Sequence, residues 1–238
     1  PVFWIGAAVG GLNLCAVHCL LPERIKAADG GKNRGSWRKN AASVLSNRPL
    51  IGCWTATFGA CILAGMFFSF LPLHAADQGL DVGLIGIVFF IQAAANALFR
   101  IPFGAASDRV GKRHLQALAG MVLLTAALCG FAAAGSFASF AAAALALGVS
   151  NAVAFTAIGA LIAETTEARL LGLAMGGYNT CIYLGMMAGS IGLGPIIEAT
   201  GFSAGFLATA AVNIPFVSVF AWSLRGYRTE SSAAAAPR

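Results

Sequence analysis

Gly104-Ala-Ala-Ser-Asp108-Arg109-Val-Gly111-Lys112-Arg113 is the stretch on which the reading of this chain turns. It lies between two apolar runs, and four of its ten residues are charged in a chain where charged residues make up 10%. Gly104 reads as a helix-end glycine that lets a neighbouring backbone approach closely. Asp108 is placed to cap a helix or to sit on the positive end of another helix dipole. Gly111 permits a tight reversal, and Arg109, Lys112 and Arg113 hold the turn on the cytoplasmic side of a membrane. A charged loop that merely fixes topology would explain the cations, but not the G-x-x-x-D-R-x-G-K-R order.

Outward from this stretch the chain is 58% hydrophobic, with mean hydropathy +0.80, which excludes a soluble globular domain. Seven apolar stretches are long enough to cross a bilayer as helices: 2–21, 50–75, 83–103, 115–134, 137–162, 171–196 and 203–224. The expected fold class is therefore an all-α membrane protein with seven transmembrane helices.

The cations then orient it. All 15 lysines and arginines fall in 22–49, around the signature, at Arg169 or after the seventh span. The alternate connections, near 76–82, 135–136 and 197–202, carry none. This satisfies the positive-inside rule and predicts a multi-pass protein of the plasma (inner) membrane with Pro1 outside and the C-terminus cytoplasmic. Basic residues flanking apolar runs, with no aromatic interleaving, exclude nucleic acid as a partner. The partner is the lipid bilayer.

The segment 22–49 is polar, glycine-containing and carries seven cations, so it divides the chain into one span plus six. The organisation predicted is a helix over 1–21, a basic cytoplasmic loop over 22–49, a six-helix bundle over 50–224 and a cytoplasmic tail over 225–238. The chain opens at Pro1, already apolar and without a basic start or cleavage site, so it reads as a fragment entered partway through a longer protein. The six cysteines lie in apolar runs without a C-x-x-C pair or a histidine cluster, and predict neither metal nor disulfide. No nucleophile–base pair appears, so no enzyme and no cofactor are expected.

Polar side chains are unevenly shared among the spans. Gln92, Asn96 and Arg100 recur at spacings of four on one face of the third span. The fifth holds Ser150, Asn151 and Thr156; the sixth holds Tyr178, Asn179, Thr180, Tyr183 and Ser190; the fourth, past Gln116 at its very start, has only Thr125. Two readings stand for Gln92, Asn96 and Asn151: they line a cavity, or they hydrogen-bond between helices. Asn179 and Tyr183, one turn apart, form the strongest ligand-orienting pair, because an amide and a phenol orient a ligand without a desolvated charge. No acid or base sits in mid-span; His18, late in the first span, is the nearest exception.

The signature resembles that of the major facilitator superfamily, G-x-L-a-D-R-x-G-R-[RK]. It matches at Gly104, Asp108, Arg109, Gly111, Lys112 and Arg113, with Ala106 in place of the usual leucine. Asp81-Val-Gly-Leu-Ile-Gly-Ile resembles the start of that family's eighth helix, and Gly172-Leu-Ala-Met-Gly176-Gly-Tyr178-Asn179-Thr that of its eleventh. Leu171-Gly172 stands where the family usually has Arg-Gly. The resemblance covers nearly the whole chain and is closest to the drug- and sugar-efflux branches. It implies that the first span is the last helix of the first half, that the other six are the C-terminal bundle, and that an N-terminal half is missing.

The resemblance also implies function. The third, fifth and sixth spans line a central cavity and the fourth lies outside it; the seventh, with Thr209 and Asn213, fits that split less well. The expected activity is secondary transport by alternating access. A small neutral or apolar organic substrate, bound by Gln92, Asn96, Asn151, Asn179 and Tyr183, is exported in exchange for protons. The Gly185-x-x-x-Gly189 stripe, continuing to Gly192, Gly194 and Pro195, resembles the antiporter glycine motif. The gate comprises Arg100, Gly104, Asp108, Arg109, Gly111, Lys112, Arg113 and Glu164. An uptake symporter of the same fold is the near alternative, and a seven-helix receptor or sensor the more distant one.

Overall fold

The computed structural model describes residues 10–12, 15 and 36–225. Residues Pro1–Lys39 and Asn40–Arg238 form two separate compact units. In the first unit, residues 10–12, 15 and 36–39 are helical; the predicted span over 2–21 and His18 otherwise lie outside the described residues, as does the tail beyond 225.

From Ser36 onward the described residues hold eight α-helices: α1 Ser36–Ser46, α2 Arg48–Asp77, α3 Val82–Val110, α4 Arg113–Ala132, α5 Phe137–Thr165, α6 Leu171–Gly192, α7 Gly194–Thr200 and α8 Phe202–Ser223. A 3-10 turn over Ala168–Leu170 precedes α6. Six stretches are long and apolar enough to span a membrane, with α6 and α7 acting as one broken span. The six coincide with the last six predicted spans. The fold is an all-helical membrane bundle.

Local chemistry sets the ends. Asn47 caps α2 by accepting a hydrogen bond from the Leu50 N–H at 3.2 Å, with Pro49 in the first turn. Asp81 caps α3 through the Leu84 N–H at 2.9 Å, and Ser136 and Ser139 form a capping box on α5. The α6–α7 break falls where Gly194-Pro195 follows Leu193, because proline cannot supply the N–H that would continue the ladder.

Two expectations about the signature change. α3 runs on through Val110, so Gly104 to Val110 is helix rather than loop. Small residues without a proline offer nothing to stop the helix until Gly111. There the backbone turns left-handed at φ 65° and its N–H returns to the Ser107 carbonyl at 3.1 Å. Only Gly111 and Lys112 separate α3 from α4. The second correction concerns Gly104, which makes no close backbone approach: a Cβ there would rest 3.5 Å from the Thr156 methyl, an ordinary contact. The linker 22–49 also differs in part, since its end forms α1, and Val44 of α1 is buried beside Leu50, Leu161 and Leu170.

α2 packs against α6 and α8, α5 against α3 and α4, and α4 against α8. The α2–α6 seam is closed by the predicted stripe: a Cβ on Gly185 would lie 2.5 Å from the Phe58 carbonyl oxygen, and one on Gly189 would overlap the Ile62 carbonyl. The bundle has two chemically distinct ends. One gathers the starts of α2 and α4 and the ends of α5 and α8, through Asn47 Nδ2 donating to the Thr165 carbonyl at 2.7 Å and Arg48 to the Trp222 carbonyl at 3.1 Å. The other buries His74, Phe131, Phe140 and Phe206, from the ends of α2 and α4 and the starts of α5 and α8. Arg48, Lys112, Arg113 and Arg169 belong to the first end, Asp77, Asp81 and Glu198 to the second.

Candidate functional site

Between α2, α3 and α5 lies a cavity of about 600 Å³ with Leu124 of α4 also in its wall, so α2 takes the place expected of the sixth span and the fourth is not wholly outside. Its site-forming side chains are Phe67 and Phe68 of α2, Phe89, Gln92, Asn96 and Arg100 of α3, and Asn151 of α5. Gly148 of α5 makes the arrangement possible. A Cβ there would meet the Ala95 Cβ at 2.6 Å and the Asn96 backbone nitrogen at 3.1 Å. Hydrogen at this position lets α3 settle on α5 at the level of Gln92 and Asn96, which brings their amides beside Asn151, three residues along α5.

The hydrogen-bond pattern separates these amides from other polar groups in the bundle. Gln92 is only 6% exposed, yet neither it, Asn96 nor Asn151 bonds to any partner among the described residues. The buried Oδ1 of Asn96 is without a partner, as is that of Asn213, but Asn213 is tied through its Nδ2. Elsewhere the amides bond to protein. Asn213 of α8 donates to the Thr125 hydroxyl of α4 at 2.9 Å, and Asn179 of α6 donates to the Met175 carbonyl of its own helix at 3.1 Å. Thr125 is absent from the cavity wall, as the uneven polarity of the spans suggested. The Asn213–Thr125 bond also explains why the last span looked polar without lining the cavity. An apolar site with a few unbonded polar groups can orient a small molecule.

Asn179 and Tyr183 are not brought into this wall. Both are exposed on α6, Tyr183 at 72%, on a helix that packs chiefly on α2. Their neighbour Ser190 reaches α2 instead, with its hydroxyl 2.8 Å from that of Ser69.

At the basic end, Arg113 opens α4 and Glu164 lies in the last turn of α5, and the two form an ion pair at 2.8 Å with side-chain exposures of 19% and 32%. Arg113 is one of the signature cations, and Glu164 is the acid that the sequence grouped with them. Side chains of Asp108 and Arg109 lie outside the described residues. Glu167 and Arg169 pair locally at 2.6 Å in the turn before α6.

Sequence reasoning missed three residues. Asn47 both caps α2 and donates to α5, and Asn-Arg-Pro before an apolar run was a legible start signal. Arg48 stacks on the Trp222 ring at 3.8 Å, a long-range contact with no local signal. His74 is buried with its Nε2 3.1 Å from the Phe131 carbonyl oxygen, and its ring lies 5.3 to 5.6 Å from those of Phe140, Phe202 and Phe206.

Residues 53–237 match the Major Facilitator Superfamily, and the chain belongs to that family. It is a multi-pass membrane protein of a transporter family, and its working partners are a lipid bilayer and a small-molecule substrate. A comparison with curated proteins finds no match.

Proposed function

We propose that this chain supplies the C-terminal bundle of a secondary active transporter and that the α2–α3–α5 cavity is its share of the cargo site. The observation carrying this reading is the set of unbonded amides, Gln92, Asn96 and Asn151, in a wall otherwise rich in aromatic and small apolar residues. Gln92 is buried and Asn96 and Asn151 are half-buried; amides shielded in this way without protein partners are costly, and a ligand or water that completes them recovers that cost. The cavity accommodates a small organic compound with a largely apolar body.

In this reading an N-terminal half of the same protein closes the cavity, and the two halves rock about it. The chain divides into the preceding helix over 1–21, the basic cytoplasmic segment over 22–49 that ends in α1, the bundle over 50–224 and the tail over 225–238. The protein sits in the plasma (inner) membrane with Pro1 outside and the basic end of the bundle cytoplasmic, supported by the contrast between the two ends. The gate is the α3–α4 turn with its flanks: Arg100, Gly104, Asp108, Arg109, Gly111, Lys112 and Arg113, with Glu164 facing Arg113. A modest bias from such pairs is enough to favour one access state. Asn179 and Tyr183 join the site only if the second half folds cargo against the exposed face of α6.

Export coupled to protons is the favoured direction, supported by the efflux-type resemblance and the glycine stripe. The test is transport in proteoliposomes by the intact transporter, with a compound panel and an imposed proton gradient of either sign. Movement of cargo against the proton flow supports antiport. Co-directional movement assigns uptake symport instead, and accumulation independent of the gradient removes proton coupling.

A further inference from the structure

We infer that the cavity selects an organic anion: a flat apolar body with one carboxylate, or a comparable monoanionic group, held by Arg100. The inference rests on the cavity being the cargo site and narrows its cargo.

Arg100 is a cation within a membrane-spanning helix, and it forms part of the cavity wall. No Asp or Glu lines that wall, and no carboxylate lies within ion-pair distance of Arg100 among the described residues. This sets it apart from Arg113 and Arg169, which face Glu164 and Glu167. A guanidinium in a cavity wall without a counter-ion favours any anion that reaches it. Its planar fork matches a carboxylate in two parallel hydrogen bonds.

The opposite end of the cavity has the complementary chemistry. Phe67, Phe68 and Phe89 form an aromatic corner, with Phe68 and Phe89 stacked at 6.0 Å and Phe67 edge-on to Phe89 at 5.0 Å. Along α3 the order is Phe89, Gln92, Asn96, Arg100, so polarity rises steadily from aromatic ring to amide to cation. From Phe89 to Arg100 the helix rises about 16 Å, the length of a small amphipathic molecule lying along it. A neutral cargo would leave the cation unmatched, and a cationic one would be repelled by it.

Three isosteric probes test this: naphthoate, naphthamide and naphthylmethylammonium, titrated calorimetrically against the intact transporter in phosphatidylcholine nanodiscs. Naphthoate should bind about tenfold or more tighter than naphthamide, and the ammonium weakest. Arg100→Gln should erase the preference for naphthoate while leaving naphthamide affinity within about twofold. Arg100→Lys should keep part of the preference, and an unchanged melting temperature in either variant shows the fold intact. Equal affinity for naphthoate and naphthamide, both weakened by Asn151→Ala, would overturn the anion inference and leave the cavity as cargo site. Failure of all three probes to bind, or binding insensitive to Asn151→Ala, would overturn the cavity reading itself. Loss of naphthoate binding when phosphatidylglycerol is added would assign Arg100 to a lipid headgroup and overturn the inference.

Discussion

Asn213 of α8 donates its amide hydrogen to the Thr125 hydroxyl of α4 at 2.9 Å. Asn213 is fully buried, and its partner is the one polar side chain that composition placed outside the cavity. This bond is helix glue, and its existence gives a standard against which the unbonded amides of α3 and α5 are read. Asn213 and Asn151 are the same residue type in two spans of one bundle, the first fully buried and bonded, the second half-buried and unbonded.

The first prediction uses that contrast. Thr125→Val should destabilise the bundle by about 0.6–1.7 kcal/mol, the range for such bonds in membrane proteins, and leave cargo affinity unchanged. Asn151→Ala should do the reverse, with little stability loss and at least a severalfold loss of cargo affinity. Thermal unfolding and ligand titration on the two variants separate the effects; the same pattern in both would erase the distinction.

The Arg113–Glu164 pair should act on the balance of access states rather than on folding. Partly exposed, it contributes about 0–1 kcal/mol. Arg113→Glu should slow transport, and the exchanged pair Arg113→Glu/Glu164→Arg should recover a measurable part of the rate. No recovery would assign the effect to other contacts of Arg113.

Two glycines should respond oppositely to added bulk. Gly148→Val forces a side chain into Ala95 and the Asn96 backbone, and overpacking of this kind costs about 1–3 kcal/mol. It should also weaken cargo binding, because α3 carries Gln92 and Asn96 away from Asn151. Gly104→Ala, with 3.5 Å to the Thr156 methyl, should leave the melting temperature within the error of the wild type despite its place in the signature.

Topology is checked with exposed turn residues, because Ser107 is buried and would report poorly. Gln78→Cys, in the turn after α2, should react with an impermeant maleimide in intact cells. Glu167→Cys, exposed at the basic end, should react only after permeabilisation. The opposite pattern would invert the protein in the membrane.

Much of the fold was legible because its cause is local. Apolar length marked the last six spans, and charge asymmetry separated the two ends before any contact was known. The end of α3 was misplaced because Gly104 looks like a terminator, whereas a helix of small residues stops only where Gly111 adopts a left-handed backbone. Within the site, spacing of four put Gln92, Asn96 and Arg100 on one face, and packing against Gly148 aims that face at Asn151. Spacing also paired Asn179 with Tyr183, but it cannot say which neighbour a face meets, and α6 turns those two outward. His74 escaped notice for the same reason: its aromatic surroundings come from three other helices.

The most direct test is substrate protection of a cysteine placed at Asn151, in the intact transporter with its six native cysteines in this chain replaced. Alkylation by a small maleimide is timed with and without the transported compound. Saturating cargo should slow the reaction severalfold, while a cysteine at Gln78 reacts at an unchanged rate. An unchanged rate at position 151, in a variant that still transports, would place the cargo elsewhere and contradict the account.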